Sequence, residues 1–285
     1  MKAWILAAAT ALALTTAAQA ATPLPPAAIY TDPPADKAHP ARMEVLHIPS
    51  GGVQINGVAY VAAGAGAHPT VVLLHGLPGN EKNLDLAQAI RRAGWNVVTI
   101  NYRGSWGSPG AFSFRGNLAD ARATMAYVRA NADKLGVDTR KLVVIGHSMG
   151  GWVTSQTAAA DPDVAGAVLI SSADMSALAR APEAARLNTA RSNMESLAAT
   201  PEGMAQELTT LGDASFAAAA PGLAKKPLLV LTSDDGLAPV AEALVMDVKR
   251  RGGRVSIVHA ATDHGWNSAR IRLETEVLNW LARLP

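Results

Sequence analysis

The sequence of 285 residues contains no cysteine. Disulfide bonds, thiolate metal sites and cysteine nucleophiles are therefore excluded. Charged residues make up only 17% of the chain and the formal net charge at pH 7 is +2, which argues against nucleic-acid binding through bulk charge. Aromatic residues are also scarce, at 5%, so an aromatic-rich binding module is excluded. Hydrophobic residues reach 49%, which suits one large core and not a disordered chain.

The N-terminal segment is typical of a secretory signal. Met1 and Lys2 precede an apolar run of small residues that ends in Ala18-Gln19-Ala20, the small-x-small pattern of a signal-peptidase site. We expect a signal peptide over residues 1–20, cleavage after Ala20, and a periplasmic or secreted protein with no stable membrane anchor. A membrane-spanning anchor is the alternative, but threonines interrupt the run and make it marginal for a bilayer.

The rest of the chain divides into a leader and one domain. Residues 21–42 are rich in Pro and Ala and predict an extended leader without a core of its own. The folded domain is expected over residues 43–285. Within it, residues 176–225 contain no convincing strand and predict a helical cap insertion over the carboxyl edge of a sheet. A long surface excursion without catalytic consequence is the alternative.

Short apolar runs alternate with helical patterns along the domain. The runs are mostly continuous, as in parallel strands that are covered on both faces: Val71–Leu74, Val97–Ile100, Leu142–Ile145, Ala167–Ile170, Leu228–Leu231 and Val255–Val258. Two further segments, Glu44–Ile48 and Val53–Val61, alternate more nearly and flank Ser50-Gly51-Gly52, which predicts an antiparallel hairpin at the sheet edge. Helical stripes run from Leu118 to Leu135 and from Leu273 to Leu284. The pattern predicts a mostly parallel α/β sheet covered by helices.

One apolar run leads directly into a reactive motif. Leu142–Ile145 is followed by Gly146-His147-Ser148-Met149-Gly150-Gly151, which places G-x-S-x-G between a strand and a helix. The flanking glycines are needed because side chains there would collide with the neighbouring strand and helix. The turn therefore presents Ser148 as a nucleophile at the carboxyl edge of the sheet.

A nucleophilic serine needs a base and an acid that orients it, in the chain order serine, acid, histidine. Asp234 and Asp235 follow the Leu228–Leu231 run, and His264 stands in the turn after Val255–Val258. Together these residues resemble the α/β-hydrolase superfamily, in particular serine esterases and prolyl-oligopeptidase-like or aminopeptidase-like enzymes. The resemblance extends over residues 43–285. It implies an α/β-hydrolase fold with a mostly parallel eight-stranded sheet, helices on both faces and a small helical cap.

Two more loops are similar to those of this superfamily. His75-Gly76-Leu77-Pro78-Gly79-Asn80 resembles its H-G loop, and residues 101–108 resemble its N-Y-R-G-S loop. The resemblance implies an oxyanion hole made by the backbone N–H groups of Leu77 and Met149. Taken singly, each loop is equally explained by Gly and Pro that mark turns.

The resemblance also selects among the candidates for the triad. The acid of this family commonly stands four residues before a proline, which favours Asp235 over Asp234 because Pro239 follows. His264, followed by Gly265, matches the position of the catalytic histidine. His75 and His147 belong to the H-G and serine motifs, where we expect them to support the backbone.

The substrate is less well defined by the sequence. Trp106, Trp152 and Met175 are expected to line an apolar acyl pocket, although each is also compatible with core packing. We expect a small-molecule ester substrate, no cofactor, no metal and no nucleic-acid partner. A short peptide is the alternative, with Glu195 or Glu202 holding the substrate ammonium of an aminopeptidase-like enzyme. A non-catalytic binding protein with the hydrolase fold is the second alternative.

Overall fold

The computed structural model describes residues 24–285. The predicted signal peptide and its cleavage site lie outside the described residues. Within residues 24–285, no helix is both long enough and apolar enough to cross a membrane.

A single sheet of eight strands forms the centre of the molecule, in the order β1-β2-β4-β3-β5-β6-β7-β8. The strands are β1 (Arg42–Ser50), β2 (Val53–Val61), β3 (His68–Leu74), β4 (Asn96–Ile100), β5 (Val137–His147), β6 (Val164–Ile170), β7 (Leu228–Thr232) and β8 (Val255–His259). Strand β2 pairs antiparallel with β1 and β4, whereas β4, β3, β5, β6, β7 and β8 are mutually parallel. The predicted mostly parallel sheet and its antiparallel edge hairpin are confirmed.

The hairpin turns through two glycines. Gly51 and Gly52 have φ values of 56° and 82°, so both lie in the left-handed region that a two-residue hairpin turn requires. Beyond the turn, Ser50 pairs with Val53 and the ladder continues without a shift to Arg42 and Val61.

Nine α-helices surround the sheet in the part of the chain that the structure describes. They are α1 (Leu84–Arg92), α2 (Phe114–Ala130), α3 (Ala132–Leu135), α4 (Met149–Ala160), α5 (Glu183–Arg191), α6 (Pro201–Leu208), α7 (Phe216–Leu223), α8 (Ala238–Arg250) and α9 (Arg270–Leu281). Alternate residues of the central strands point to opposite faces. Val71 and Leu73 pack in a core with α1 and α9, while Val72 and Leu74 pack in a second core with α2, α4, α7 and α8. The predicted coverage of both faces is confirmed.

The segment predicted to be a helical insertion contains helices and no strand of the sheet. Helices α5, α6 and α7 lie in it, together with 3₁₀ turns at Met175–Arg180 and Leu211–Asp213. Helix α7 packs closely on α4, with the Gly222 Cα facing the Ala159 backbone, so it belongs to the layer that covers the sheet. In the rest of the segment, Glu195, Ser196 and Ala198 contact the loops that follow β3 and β4.

The leader is attached to the domain. A 3₁₀ turn at Ala27–Ile29 packs against α1 and α9, and the Arg92 side chain donates hydrogen bonds to the carbonyls of Ala28 and Ile29. The leader therefore extends the core of that face, which its Pro-rich composition did not predict. Strand β1 begins at Arg42, one residue before the expected boundary.

Candidate active site

Ser148 stands in a strained turn between β5 and α4. Its φ of 57° and ψ of −124° are uncommon for a residue with a side chain. The backbone is held there by three hydrogen bonds: the Ser148 N–H donates to the Ile170 carbonyl, and the Ser148 carbonyl accepts from Gly151 and Ala173. Because these hydrogen bonds hold the strained backbone, the Ser148 side chain has a defined position at the carboxyl edge of the sheet.

The glycines around Ser148 are required by the backbone itself. A Cβ at Gly146 would lie 2.0 Å from the Gly150 carbonyl oxygen, and a Cβ at Gly150 would lie 2.2 Å from the Leu74 carbonyl oxygen. These are the collisions with the following helix and the neighbouring strand that the motif predicts. A Cβ at Gly76 would lie 2.9 Å from the Ser148 Cβ, so the H-G loop runs directly beside the serine.

Asp235 and His264 form a hydrogen-bonded pair. The His264 Nδ1–H donates to Asp235 Oδ2 at 2.8 Å, and the Leu237 N–H donates to Oδ1 at 2.9 Å. The carboxyl group is 5% exposed and the imidazole 41% exposed, so the acid is buried while the histidine reaches solvent. Burial by itself raises the pKa of Asp235, but hydrogen bonds from His264, Leu237 and Ser233 outweigh it and the net pKa is lowered. Asp235 is thus an ionised partner that orients the ring.

Asp234 has a different partner. Its Oδ1 lies 3.1 Å from His259 Nε2, and the His259 Nδ1 lies 3.0 Å from the Thr232 hydroxyl. Both side chains are about half exposed or more. The structure therefore pairs the two neighbouring aspartates with two different histidines, and Asp235 is the one paired with His264.

His147 connects the serine turn to the histidine loop. Its Nε2 lies 2.8 Å from the His264 carbonyl oxygen, to which it donates, and the two rings are 4.7 Å apart. Burial lowers the pKa of His147 to about 4, so the ring is neutral at pH 7. Among residues 24–285, no hydrogen bond joins Ser148 Oγ to the His264 ring. The contact with His264 is made by His147, which directly precedes Ser148 in the chain.

The two expected oxyanion donors lie in the serine turn and in the H-G loop beside it. Met149 is the first residue of α4, so its N–H has no acceptor inside the helix. Leu77 follows Gly76 in the loop beside Ser148. His75 fixes that loop: its Nδ1 lies 2.8 Å from the Gly76 carbonyl, and burial lowers its pKa to about 4.

The three predicted pocket residues have different surroundings. Trp106 is partly exposed beside the H-G loop, donating from Nε1 to the Pro78 carbonyl at 2.7 Å, with the Lys82 ammonium 4.5 Å from its ring centre. Trp152 is fully buried and donates to the Ala214 carbonyl, and Met175 is only 5% exposed. Helix α4 packs against both the sheet and α7, which places Trp152 in the core, and Met175 belongs to the same core cluster. Their place in an acyl pocket stays a prediction.

The two glutamates that were candidates to hold a substrate ammonium also differ. Glu195 accepts a hydrogen bond at 2.9 Å from the side chain of Asn80, in the H-G loop, and the next residue, Ser196, accepts from the Trp106 N–H. Glu202 is an exposed partner of Arg191 at 3.6 Å. The structure therefore brings Glu195, and not Glu202, to the loops beside Ser148.

No cluster of three or more His, Cys, Asp or Glu side chains suited to a metal ion occurs in residues 24–285. The candidate site consists of the Ser148 hydroxyl, the His264 imidazole and the Asp235 carboxylate.

Comparison with known proteins identifies the family. Residues 69–249, more than half of the chain, match the family model for the alpha/beta hydrolase fold. An uncharacterized protein of Mycobacterium tuberculosis is 30% identical over 134 residues, which cover 47% of each chain. The chain spans about half the length of this curated relative.

Solved structures share the fold over nearly the whole chain. EstE1, a thermostable carboxylesterase cloned from a metagenomic library, has a TM-score of 0.65 at 24% identity and covers 85% of this chain and 90% of its own. Carboxyl esterase 2 of the fungus Tuber melanosporum has a TM-score of 0.67 at 18% identity, covering 88% and 90%. The predicted α/β-hydrolase fold is confirmed.

Proposed function

The chain belongs to the alpha/beta hydrolase fold family, and we propose that it is a serine hydrolase that cleaves carboxylic esters through an acyl-enzyme. The observation that carries the proposal is the hydrogen bond between the buried Asp235 carboxylate and the partly exposed His264 ring, beside the strained turn of Ser148. A serine hydroxyl is a weak nucleophile on its own, and an imidazole oriented by a carboxylate is the group that activates it.

The first half of the reaction forms the acyl-enzyme. His264 keeps its proton on Nδ1, from which it donates a hydrogen bond to Asp235. Its Nε2 is therefore free to take the proton of Ser148 Oγ as the oxygen attacks the ester carbonyl. The Ser148–His264 hydrogen bond forms at this stage, since such contacts commonly tighten only when substrate binds. Collapse of the tetrahedral intermediate expels the alcohol, which receives the proton from His264.

The second half repeats these steps with water. His264 removes a proton from the water as it attacks the acyl-enzyme, and the products are a carboxylic acid and free Ser148. In both halves the N–H groups of Leu77 and Met149 stabilise the oxyanion. Loss of one such donor typically costs on the order of 3 kcal/mol in the barrier.

An ester is the favoured substrate because two structural neighbours with the same fold, EstE1 and carboxyl esterase 2, are carboxylesterases by name. With the secretory signal of the sequence, we place this reaction in the periplasm or outside the cell, on a small-molecule ester.

The proposal is tested with a series of p-nitrophenyl esters. The wild-type protein is expected to hydrolyse them, and Ser148→Ala to lose at least about 10³-fold in kcat/KM because the nucleophile is gone. Ser268→Ala removes a hydroxyl from the loop after His264 and serves as the matched control with wild-type rates. Equal rates in Ser148→Ala and wild type would contradict the proposal, and a folded wild type inactive on esters and anilides favours a non-catalytic binding protein.

An aminopeptidase-like activity is the second candidate, favoured by the position of Glu195. Its carboxylate accepts a hydrogen bond from Asn80 of the H-G loop, which supports a role in holding a substrate ammonium. Aminoacyl p-nitroanilides compared with the esters test it. If the peptidase candidate holds, Glu195→Gln lowers anilide hydrolysis while Glu202→Gln leaves it unchanged. If the wild-type protein cleaves no anilide, the ester proposal stands alone.

A further inference from the structure

Arg270, the first residue of α9, lies between the loop that carries His264 and the start of α1. Its Nη1 donates to the Gly265 carbonyl at 2.9 Å. Both Nη atoms donate to Asn83 Oδ1 at 3.0 Å. The Asp85 carboxylate accepts from Nε at 2.8 Å and also from Nη2, which makes a bidentate pair. One side chain therefore links the residue after His264 to two residues at the start of α1.

Every N–H group of this guanidinium has an acceptor. An arginine side chain has five N–H groups, and Arg270 makes five hydrogen bonds with them. Burial by itself raises the pKa of Asp85, but the hydrogen bonds and the charge of Arg270 outweigh it and the net pKa is lowered. A planar guanidinium that pairs in a bidentate manner with an ionised carboxylate is fixed in orientation as well as in position. Arg270 thus holds the Gly265 carbonyl from a defined place.

The turn that carries His264 is held at two neighbouring carbonyls. The His264 carbonyl accepts from His147 of the serine turn, and the Gly265 carbonyl accepts from Arg270. The His264 side chain is 41% exposed, so the position of its ring depends on the backbone beneath it. Of the two donors, His147 belongs to the serine motif, whereas Arg270 belongs to no motif of the sequence.

The other end of the Arg270 contacts lies just after the H-G loop. That loop ends at Asn80 and contains Leu77, an expected oxyanion donor. Asn83 is 1% exposed and has a φ of 55°, in the left-handed region. Its carbonyl accepts from the Ala87 N–H in the first turn of α1. Arg270 therefore connects the histidine turn to the segment that directly follows the oxyanion loop.

We propose that Arg270 is a positioning residue that holds the His264 turn at a fixed distance from the H-G loop. The base and the expected oxyanion donor then keep the spacing that attack on a carbonyl requires, and small displacements of such groups cost large factors in rate. This inference rests on the proposed function, because it takes His264 as the base. The state of the His264 ring is nevertheless measurable without substrate.

The first test records the nitrogen-15 NMR signals of the His264 ring in the complete protein under mildly alkaline conditions. They are assigned by their loss in His264→Gln. The wild-type ring is expected to be one tautomer, with its proton on Nδ1 towards Asp235. In Arg270→Gln the signals are expected to move towards the averaged values of a histidine that exchanges between tautomers. The reason is that the Gly265 carbonyl loses its donor, so the ring spends less time against Asp235.

Arg129→Gln is the matched control. Arg129 pairs with Asp161 at 2.7 Å, and the two side chains are 28% and 20% exposed, compared with 20% and 43% for Arg270 and Asp85. Asp161 ends α4 at the end remote from the serine turn. The control therefore loses an ion pair of the same kind far from the site, and the His264 signals are expected to keep their wild-type values.

Ester kinetics supply the second test. Arg270→Gln is expected to lower kcat on the order of 10- to 100-fold with KM within about twofold, because the guanidinium contacts the turn of the base and not the substrate. Asp85→Asn is expected to have a smaller effect in the same direction. The Arg270→Gln/Asp85→Asn double variant should be no slower than Arg270→Gln, since both changes act through one guanidinium. Arg270→Lys keeps the charge but offers a single nitrogen to three acceptor residues, so it should not restore the wild-type rate.

If Arg270→Gln does not fold, Asp85→Asn and Arg270→Lys decide the matter by the same measurements. The inference is overturned by wild-type His264 signals in the folded Arg270 variants, by an equal change in Arg129→Gln, or by full restoration in Arg270→Lys. An inactive wild-type protein whose His264 ring responds as described rejects the proposed function alone. An active protein whose ring does not respond rejects the role of Arg270 alone.

Discussion

Two aspartates stand side by side in the turn after β7, and they differ in burial and in partner. Asp235 is buried and accepts from His264, whereas Asp234 is exposed and lies against His259. The sequence favoured Asp235 only through its distance from Pro239. The structure adds a physical distinction, since only the buried carboxylate holds the histidine that lies beside the serine turn.

This distinction predicts unequal effects of two similar substitutions. Asp235→Asn is expected to lower kcat/KM for an ester on the order of 10³-fold or more, because an amide does not stabilise the imidazolium and favours the wrong tautomer. Asp234→Asn is expected to remain within a few-fold of wild type, by the same steady-state assay. A larger loss in Asp234→Asn would reverse the assignment of the acid.

The contribution of single residues beyond the motifs was harder to predict. The sequence left Trp152 open between an apolar pocket and core packing, because a residue one turn into a helix faces the element that packs on that side of the helix. Here the helix is covered by α7, which the sequence does not reveal.

The insertion is attached to the domain at the start of α2. Glu207, on α6, accepts hydrogen bonds from the N–H groups of Phe114 and Arg115 at 3.0 and 2.9 Å. These are the unpaired N–H groups of the first turn of a helix, where a carboxylate is also favoured by the helix dipole. One side chain thus caps α2 and connects the insertion to the domain.

Glu207→Gln is therefore expected to destabilise the fold. One carboxylate oxygen is replaced by an NH2 group, which cannot accept a hydrogen bond from the start of α2. The free energy of unfolding in urea should therefore fall by about 1–2 kcal/mol. Glu202→Gln, on the same helix, changes an exposed contact with Arg191 and should alter it by less than about 0.5 kcal/mol. Equal stabilities of the two variants would show that Glu207 does not hold the insertion.

The strands and the helices α2, α3 and α9 were predictable because their apolar residues recur in a clear strand or helix pattern. Continuous runs such as Leu142–Ile145 indicate strands covered on both faces, and the Leu118–Leu135 stripe indicates a helix, which the structure divides into α2 and α3 at Asn131. Contacts between elements, such as Glu207 with the start of α2, depend on the folded path of the insertion. No local pattern encodes that path.

At the scale of the whole molecule, two buried histidines link the site to overall stability. His75 and His147 lie in the loops on either side of Ser148, are at most 4% exposed, and have pKa values lowered from 6.5 to about 4, chiefly by burial. Both therefore stay neutral in the folded protein under conditions where the unfolded chain takes up protons. The loops that build the site are thus sensitive to acid.

The free energy of unfolding is expected to be highest above pH 6.5 and to fall as the pH decreases towards 4. In this interval the unfolded state binds more protons than the folded state, so stability rises with pH. The loss at pH 5 is about 2 kcal/mol for each histidine. Urea unfolding at pH 7.5, 6 and 5 measures it; His75→Gln should flatten the dependence, while the exposed His39→Gln should not. Constant stability over this range would contradict the buried, neutral state of the two rings.

The central claim is that Ser148 is the nucleophile of a serine hydrolase, and covalent labelling tests it most directly. A fluorophosphonate probe reacts with a serine that an oriented histidine activates, and peptide mass spectrometry locates the adduct. We expect one adduct, on Ser148, that is lost in Ser148→Ala and strongly reduced in His264→Ala. A folded wild-type protein that remains unlabelled, or that is labelled at another serine, would contradict the account.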